Sequence, residues 1–323
     1  MAWIVGVDEA GYGPNLGPLV ISATLWQVAD DRIDADLYQL LSKVVCRSPS
    51  KDRSSPGRRV AWADSKSLYD PSGGLGPLER GLLAAAGLCG PRPESWHGLW
   101  ERFCPESLAE LAEAPWYRDY DITLPLVADG DDLDGLGQRL VRGFDAAGVR
   151  LVRIVSRAVF PDAWNDVLDD CGNKATALSR LSLNLLRTVL DELPDGEVSV
   201  VCDKHGGRNA YHALVQEHVS RWLVEIYREG AEASEYRWGP VERRVRALFC
   251  PKAERHLPVA LASMASKYLR ELAMRPFNEF WGRHVPELKP TAGYPLDARR
   301  FKAEILAAQT ALGIEDRMLW RAR

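Results

Sequence analysis

The 323-residue sequence predicts an α/β fold. Three observations carry that prediction. Short apolar runs rich in strand formers recur along the chain. They alternate with stretches whose apolar residues repeat at helical spacing, and Gly/Pro-rich punctuation separates the two kinds. Hydrophobic residues make up 46% and charged residues 27%, a mix that at this length supports a large core and excludes a disordered or fibrous chain.

Taken in order, Trp3 to Val7 read as a first strand that runs directly into Asp8-Glu9-Ala10-Gly11-Tyr12-Gly13-Pro14. Leu19 to Trp26 are a second strand, so the Gly/Pro/Asn stretch between them is a tight connection. Arg47 to Arg59, rich in Ser, Pro and Arg, is expected to be a mobile loop, and a second break runs from Pro71 to Pro77. Residues 70–148 mix Pro, Trp and acidic residues without an internal repeat. They read as an insertion within one domain spanning 1–323. Its Trp96, Trp100, Trp116 and Tyr117 either stack on unpaired bases or bury the insertion against its host.

Val149 to Val159 are a third strand. Lys174 to Leu193 carry Leu178, Leu181, Leu185, Leu186 and Val189 on one helical stripe, which Pro194-Asp195-Gly196 ends. Val198 to Val201 are a short buried strand ending at Cys202-Asp203. Asn209 to Ile226 are expected to be helical. Arg243 to Phe249 alternate basic and apolar residues, as a strand with one exposed face does. Pro258 to Ala273, rich in Ala and Leu, form a further helix.

No run of eighteen apolar residues is present, and Met1 to Gly6 lack the basic and apolar regions of a signal peptide. No membrane partner is therefore expected. The six cysteines form no CxxC pair, which argues against a disulfide framework or a zinc site and for a reducing cytoplasm. The net charge is −4, but Arg243 to Arg323 hold 16 basic and 8 acidic residues, leaving 25 basic and 37 acidic before them. A positively charged face is expected rather than a uniformly basic protein.

Asp8 and Glu9 end the first strand, and Asp203 ends another apolar strand. If those strands are neighbours, Asp8 and Asp203 project from one sheet edge, where ligands of open α/β sheets gather. Glu254 follows the Arg243–Phe249 strand. Clustered carboxylates repel one another, and a hard divalent cation such as Mg²⁺ or Mn²⁺ relieves that repulsion. Two such ions about 3.5–4 Å apart activate water and stabilise the leaving oxygen in phosphodiester cleavage. Taken singly, each acid reads equally well as a helix cap or a surface charge.

Ile4 to Pro14, with Gly17-Pro18-Leu19-Val20, resembles the opening signature of the type 2 ribonucleases H (ribonucleases HII and HIII). Further matches follow in the family's order. Asp64-Ser65-Lys66-Ser67-Leu68 is similar to its DSKxL segment, Val201-Cys202-Asp203 to the strand bearing its third acid, and Lys252-Ala253-Glu254 to the segment bearing its fourth. Ala262 to Glu271 resembles its AASxxAKxxRD helix, and Gly293-Tyr294-Pro295 its Gly-Tyr-Gly segment. The matches cover roughly residues 1–28, 60–69 and 150–301.

The resemblance implies a ribonuclease H-like mixed five-stranded sheet flanked by helices, with a helical C-terminal extension. It implies that Asp8, Glu9, Asp203 and Glu254 hold two Mg²⁺ or Mn²⁺ ions and cut the RNA strand of an RNA–DNA hybrid or ribonucleotide-containing duplex. A monomer is expected. Gly11, Tyr12 and Gly13 would recognise the ribonucleotide, Lys66 and Lys267 phosphates, Ser65 and Ser263 phosphate oxygens, and Tyr294 the sugar. Glu271 falls on the Arg-Asp pair of the family helix and is read as supporting rather than ligating. A solvated lysine, a capping serine and a core tyrosine are the plain alternatives for Lys66 and Lys267, Ser65 and Ser263, and Tyr294.

The chain departs from the family in three ways. Tyr12 stands where the family has Arg or Lys between two glycines, so a cation is missing from the turn. Arg299 replaces a histidine after the Gly-Tyr segment, and Pro295 replaces its second glycine. Extra residues occur near 29–59 and 70–148. Loss of the turn's cation bears on recognition of a single embedded ribonucleotide more than on metal chemistry. The rival readings are a non-catalytic nucleic-acid-binding relative and an actin-like or sugar-kinase-like ATPase. The second lacks the later phosphate and adenosine motifs it needs.

Overall fold

A computed structural model describes residues 1–48, 59–69 and 74–322. The loop expected over Arg47–Arg59 falls mainly on residues 49–58, outside the described residues, as do residues 70–73 of the second break. In chain order the strands are β1 (Ala2–Ala10), β2 (Leu19–Val28), the short pair β3 (Val45–Cys46) and β4 (Val60–Ala61), and β5 (Arg150–Val159). They continue with β6 (Val198–Asp203), β7 (Glu225–Arg228), β8 (Ser234–Trp238) and β9 (Val245–Cys250).

The main sheet has the order β5-β2-β1-β6-β9-β8-β7. β1 pairs antiparallel with β2 and parallel with β6, and β6 pairs parallel with β9. The sheet is therefore mixed. Five of these strands, β5-β2-β1-β6-β9, make up the number implied by the resemblance. The expected five are a correction to seven, because the antiparallel hairpin β7–β8 extends the sheet beyond β9.

The hairpin takes residues that the sequence assigns to a helix over Asn209–Ile226. That helix covers only His212–His218. The Gln216 side chain ties the turning chain, with its Nε2 donating to Trp222 O (3.1 Å) and its Oε1 accepting from Val224 N (2.9 Å). Beyond it, Ile226 pairs with Tyr236 of β8, so pairing of β-branched and aromatic residues prevails over the helical repeat.

Helices cover both faces. The shorter early ones are α1 (Leu37–Leu40) and α2 (Ser65–Leu68). The segment between them and β5 supplies α3 (Gly76–Leu88), α4 (Trp96–Phe103), α5 (Leu108–Glu113) and α6 (Gly130–Ala147). Then come α7 (Pro161–Cys171), α8 (Lys174–Asp191), α9 (His212–His218), α10 (Leu257–His284), α11 (Pro295–Ala311) and α12 (Asp316–Leu319). None among the described residues is long and apolar enough to cross a membrane.

Alternation along β1 divides the core. Ala2 and Ile4 face a cluster with α3, α4, α6 and α10, whereas Trp3, Val5 and Val7 face α7 and α8. The α10 helix crosses β1 so closely that a Cβ at Gly6 would overlap the Pro258 backbone. The expected helix over Pro258–Ala273 continues to His284, straight through Pro276. Proline has no N–H for the Leu272 carbonyl four residues earlier. Trp96 Nε1 of α4 donates to that carbonyl instead, at 3.0 Å. Trp96, Trp100, Trp116 and Tyr117 are all buried, so these aromatics pack their own segment into the core and are not surfaces for unpaired bases.

Candidate active site

The parallel trio β1, β6 and β9 ends at one edge of the sheet. Val7 is level with Cys202, and Asp203 with Cys250. That register sets Asp8 beside Asp203. Just past β9, Lys252 adopts a left-handed conformation (φ 56°) and the 3-10 turn Ala253–Arg255 follows, carrying Glu254. The turn is anchored to the site, because Ala253 N–H donates to Asp203 Oδ1 at 3.1 Å.

The acids raise one another's carboxyls. Burial, then the Glu9 charge, pushes the Asp8 carboxyl well above its ordinary range; Glu254 and Asp203 add to this and a hydrogen bond from Ser263 opposes it. Glu9 is pushed up to about 7 by burial, then by Asp203 and Glu254, with Lys66 opposing. Glu254 is raised by burial first, then Asp203 and Asp64, and Lys66 again opposes. Asp203 and Glu254 thus act on both Asp8 and Glu9, and the Lys66 ammonium opposes the rise at Glu9 and Glu254.

The other residues singled out by sequence fall into three groups. Ser65 and Ser263 are buried, with their hydroxyls 3.1 Å apart. Ser263 also bonds Asp8, so the pair holds a carboxylate from behind. Lys267 is ion-paired with Glu271 one helical turn away, and its ammonium lies 4.4 Å from the Tyr69 ring. Tyr69 in turn donates to Glu271 at 3.1 Å. Glu271 therefore sits in its own cluster, outside the four acids. Tyr294 is 56% exposed, not a core residue, and stands beside Gly13, whose Cβ would lie 3.8 Å from its ring. Arg299 is exposed.

Several participants escaped the sequence reading. Ser266 Oγ donates to the Asp8 carbonyl (3.1 Å) and lies 2.8 Å from Ser22 Oγ; the Ser-rich face of the Ala262–Glu271 segment was the available signal. An open groove of 610 Å³ beside the acids is lined by Arg47, Lys66, Lys252 and Arg255 as well as Asp203 and Glu254. The basic bias after Arg243 contributes two of those cations, whereas Arg300, Lys302 and Arg317 are engaged in ion pairs elsewhere. Buried Arg270 donates to the carbonyls of Pro18 (2.7 Å) and Ala292 (2.8 Å), bracing the loop after β1.

The donor set is all oxygen and negatively charged, which suits a hard divalent ion. Among the described residues, however, no group of three or more Asp, Glu, His or Cys side chains is placed to hold a metal ion. The acids share a field without forming a ready-made polyhedron.

The fold and its edge define a class: a mixed α/β sheet with carboxylates gathered at the ends of three parallel strands. No known family model matches the chain, and neither does any curated protein. Solved structures similar to it include a ribonuclease HII from Archaeoglobus fulgidus in complex with PCNA, with 14% identity, TM-score 0.43 and coverage of 99% of this chain and 94% of that one. Another is the Pyrococcus horikoshii OT3 ribonuclease H2, at 14% identity and TM-score 0.41, covering 98% and 92%. A third is Bst ribonuclease HIII with Mn²⁺, at 16% identity and TM-score 0.43, covering 99% of this chain but 66% of that one. At scores of this size the likeness decides nothing by itself; the strand register and the residues on it carry the weight.

Proposed function

We propose that the protein is a metal-dependent endonuclease that hydrolyses the RNA strand of RNA–DNA hybrids. The observation that supports this reading is the register that sets Asp8 beside Asp203 at one sheet edge, next to a cation-lined groove that Asp203 and Glu254 share. A pure binding surface for a polyanion gains nothing from concentrating negative charge there. With divalent ions present, those four carboxylates would hold them, and the ions would supply activated water and neutralise charge on the phosphodiester.

The chain's own residues do the positioning. Ser263, backed by Ser65, fixes the Asp8 carboxylate, and Ser266 fixes its backbone. Ala253 N–H orients Asp203. Lys66, Lys252, Arg47 and Arg255 supply a sequence-independent phosphate track along the groove. Exposed Tyr294 and the adjoining Gly11–Gly13 turn form the face available to a sugar.

The test is cleavage of three substrates, each with Mg²⁺ and with Mn²⁺: an RNA–DNA hybrid, a DNA duplex with one ribonucleotide, and duplex RNA. The hybrid is the expected substrate, with runs of ribonucleotides preferred to a single one because Tyr12 brings no cation. Asp203→Asn is expected to lower cleavage by at least about 10²–10³-fold, the range for losing one essential electrostatic contact. No cleavage of any substrate with either ion, or full activity in Asp203→Asn, sinks the proposal.

A further inference from the structure

The Gly11–Tyr12–Gly13 turn has no cation of its own, yet cations from distant segments hold its carbonyls. Arg321 Nη2 donates to the carbonyls of Gly11 and Pro14. Lys174 Nζ, at the start of α8, lies 3.3 Å from Tyr12 O. Trp164 of α7 supports both: Arg321 Cζ and Lys174 Nζ each lie 5.6 Å from its ring centroid, and Tyr12 meets it edge-on at 6.5 Å.

Arg321 is 1% exposed and, among the described residues, makes no ion pair; its Nε and Nη1 have no hydrogen-bond partner there. A buried charge left this way costs folding stability, so its placement calls for a reason. The placement is also firmly built. Arg321 N donates to Asn15 O (2.8 Å), Asn15 Nδ2 returns to Arg321 O (2.9 Å), and Asn165 clamps the flanking residues through Trp320 O (2.8 Å) and Ala322 N (2.7 Å).

In a trans peptide the C=O and the next residue's N–H point in opposite directions. Tying the Gly11 and Tyr12 carbonyls inward therefore turns the N–H groups of Tyr12 and Gly13 outward, beside exposed Tyr294. Neither N–H donates a hydrogen bond among the described residues. Successive free N–H groups backed by positive charge form a cradle for an acceptor oxygen.

We propose that Arg321 and Lys174 are positioning residues that aim the Tyr12 and Gly13 N–H groups at a sugar oxygen of a ribonucleotide strand. The missing cation of the turn is thereby replaced from behind rather than in front. This rests on the nuclease reading above, and the experiment separates the two.

Lys174→Met, Lys174→Arg and Arg321→Lys are compared with the parent chain for binding, in EDTA, to an RNA–DNA hybrid and an all-DNA duplex of the same sequence. KM and kcat on the hybrid are measured with Mn²⁺, and thermal midpoints alongside. Lys174→Met is expected to weaken hybrid binding and raise KM about tenfold, the equivalent of one charge-assisted hydrogen bond, with kcat held within about twofold. All-DNA binding falls by less than about threefold, since one phosphate-range charge is lost, and Lys174→Arg restores the hybrid preference. Equal losses on both duplexes mean that Lys174 merely touches phosphate, and overturn the proposal; so does wild-type hybrid binding in Lys174→Met. Arg321→Lys keeps the charge but loses the fork, so it is expected to show the same hybrid-selective loss. If it fails to fold, Lys174→Met decides alone. A parent chain that neither binds nor cuts the hybrid overturns both the inference and the nuclease reading, whereas an active parent with indifferent variants overturns the inference only.

Discussion

In the metal-free protein, Glu9→Gln is expected to raise stability at alkaline pH while removing a proposed metal ligand. Burial and the neighbouring acids move the Glu9 carboxyl from its ordinary 4.5 to about 7. The folded state therefore holds a proton that the unfolded chain releases. The stability contributed by protonated Glu9 is fully present below about pH 4.5 and is lost as pH rises through about 7. Above that window the ionised group penalises folding by at most about 3 kcal/mol, and by about 1–2 kcal/mol once solvent screening of a half-buried side chain is allowed for. Urea unfolding in EDTA measures this directly. Glu9→Gln is expected to gain about 1–2 kcal/mol over the parent at pH 8 and close to nothing at about pH 4, below the unfolded value. Packing differences between Glu and Gln are the same at both pH values and cancel in the comparison. Millimolar Mg²⁺ or Mn²⁺ is then expected to stabilise the parent more than the variant at pH 8, because an ion that binds only the folded state adds stability by mass action. An equal effect at both pH values, or a loss at pH 8, would falsify the claim that Glu9 sits in a carboxylate field.

Three further outcomes follow from contacts around the site and the α3–α6 segment. Ser263→Ala removes the hydroxyl bonded to Asp8 and paired with Ser65, and cleavage is expected to fall about 10–100-fold with the fold intact; parental kcat in that variant refutes the positioning role. Glu79→Ala leaves the N–H groups of Leu126, Val127 and Ala128 and the buried Tyr268 hydroxyl without the shared acceptor of fully buried Glu79, at an expected cost of about 3–5 kcal/mol in urea unfolding, and a loss below about 1 kcal/mol contradicts it. Trp96→Phe is expected to cost about 1–3 kcal/mol in the parent but less beside Pro276→Ala, whose restored N–H can satisfy Leu272 O; strictly additive changes in the double-mutant cycle exclude the proposed repair.

The sequence makes the strands and their ends legible. Trp3–Val7, Leu19–Trp26 and Val198–Cys202 are mainly apolar runs and Val149–Val159 interleaves apolar residues with arginines, and each is a strand within a few residues of its expected limits. Local pattern fails where pairing outranks it. Leu223 to Tyr227 have an apolar content that suits a helix face as well as a strand, and only the partner β8 decides. It also fails where one residue repairs another at a distance: nothing around Pro276 shows that Trp96, 180 positions earlier, answers for the missing N–H, so Pro276 reads as a stop. Glu79 resembles any solvated helix carboxylate until its loop of amides is seen.

The candidate site divides along the same line. Asp8, Glu9 and Asp203 are visible as acids near strand ends and Glu254 as one in the turn after a strand, but their meaning depends on neighbourhood, and neighbourhood is a property of register. Because β6 lies between β1 and β9 in a parallel trio, the chain leaves all three strands in one direction and the acids have a common edge. Had β6 run antiparallel to β1, Asp203 would stand at the opposite end of a strand six residues long, about 20 Å away at the usual rise per residue, with the same local sequence. Lys174 and Arg321 show the limit from the other side. As single basic residues 162 and 309 positions from Tyr12 they carry no motif, and they reach the turn through tertiary contacts: both stand 5.6 Å from the Trp164 ring centroid, and Asn15 and Asn165 hold the Arg321 segment. Recognition of an oxygen at the Gly11–Gly13 turn therefore depends on residues whose effect passes through peptide groups, which no comparison of side chains at the turn itself could detect.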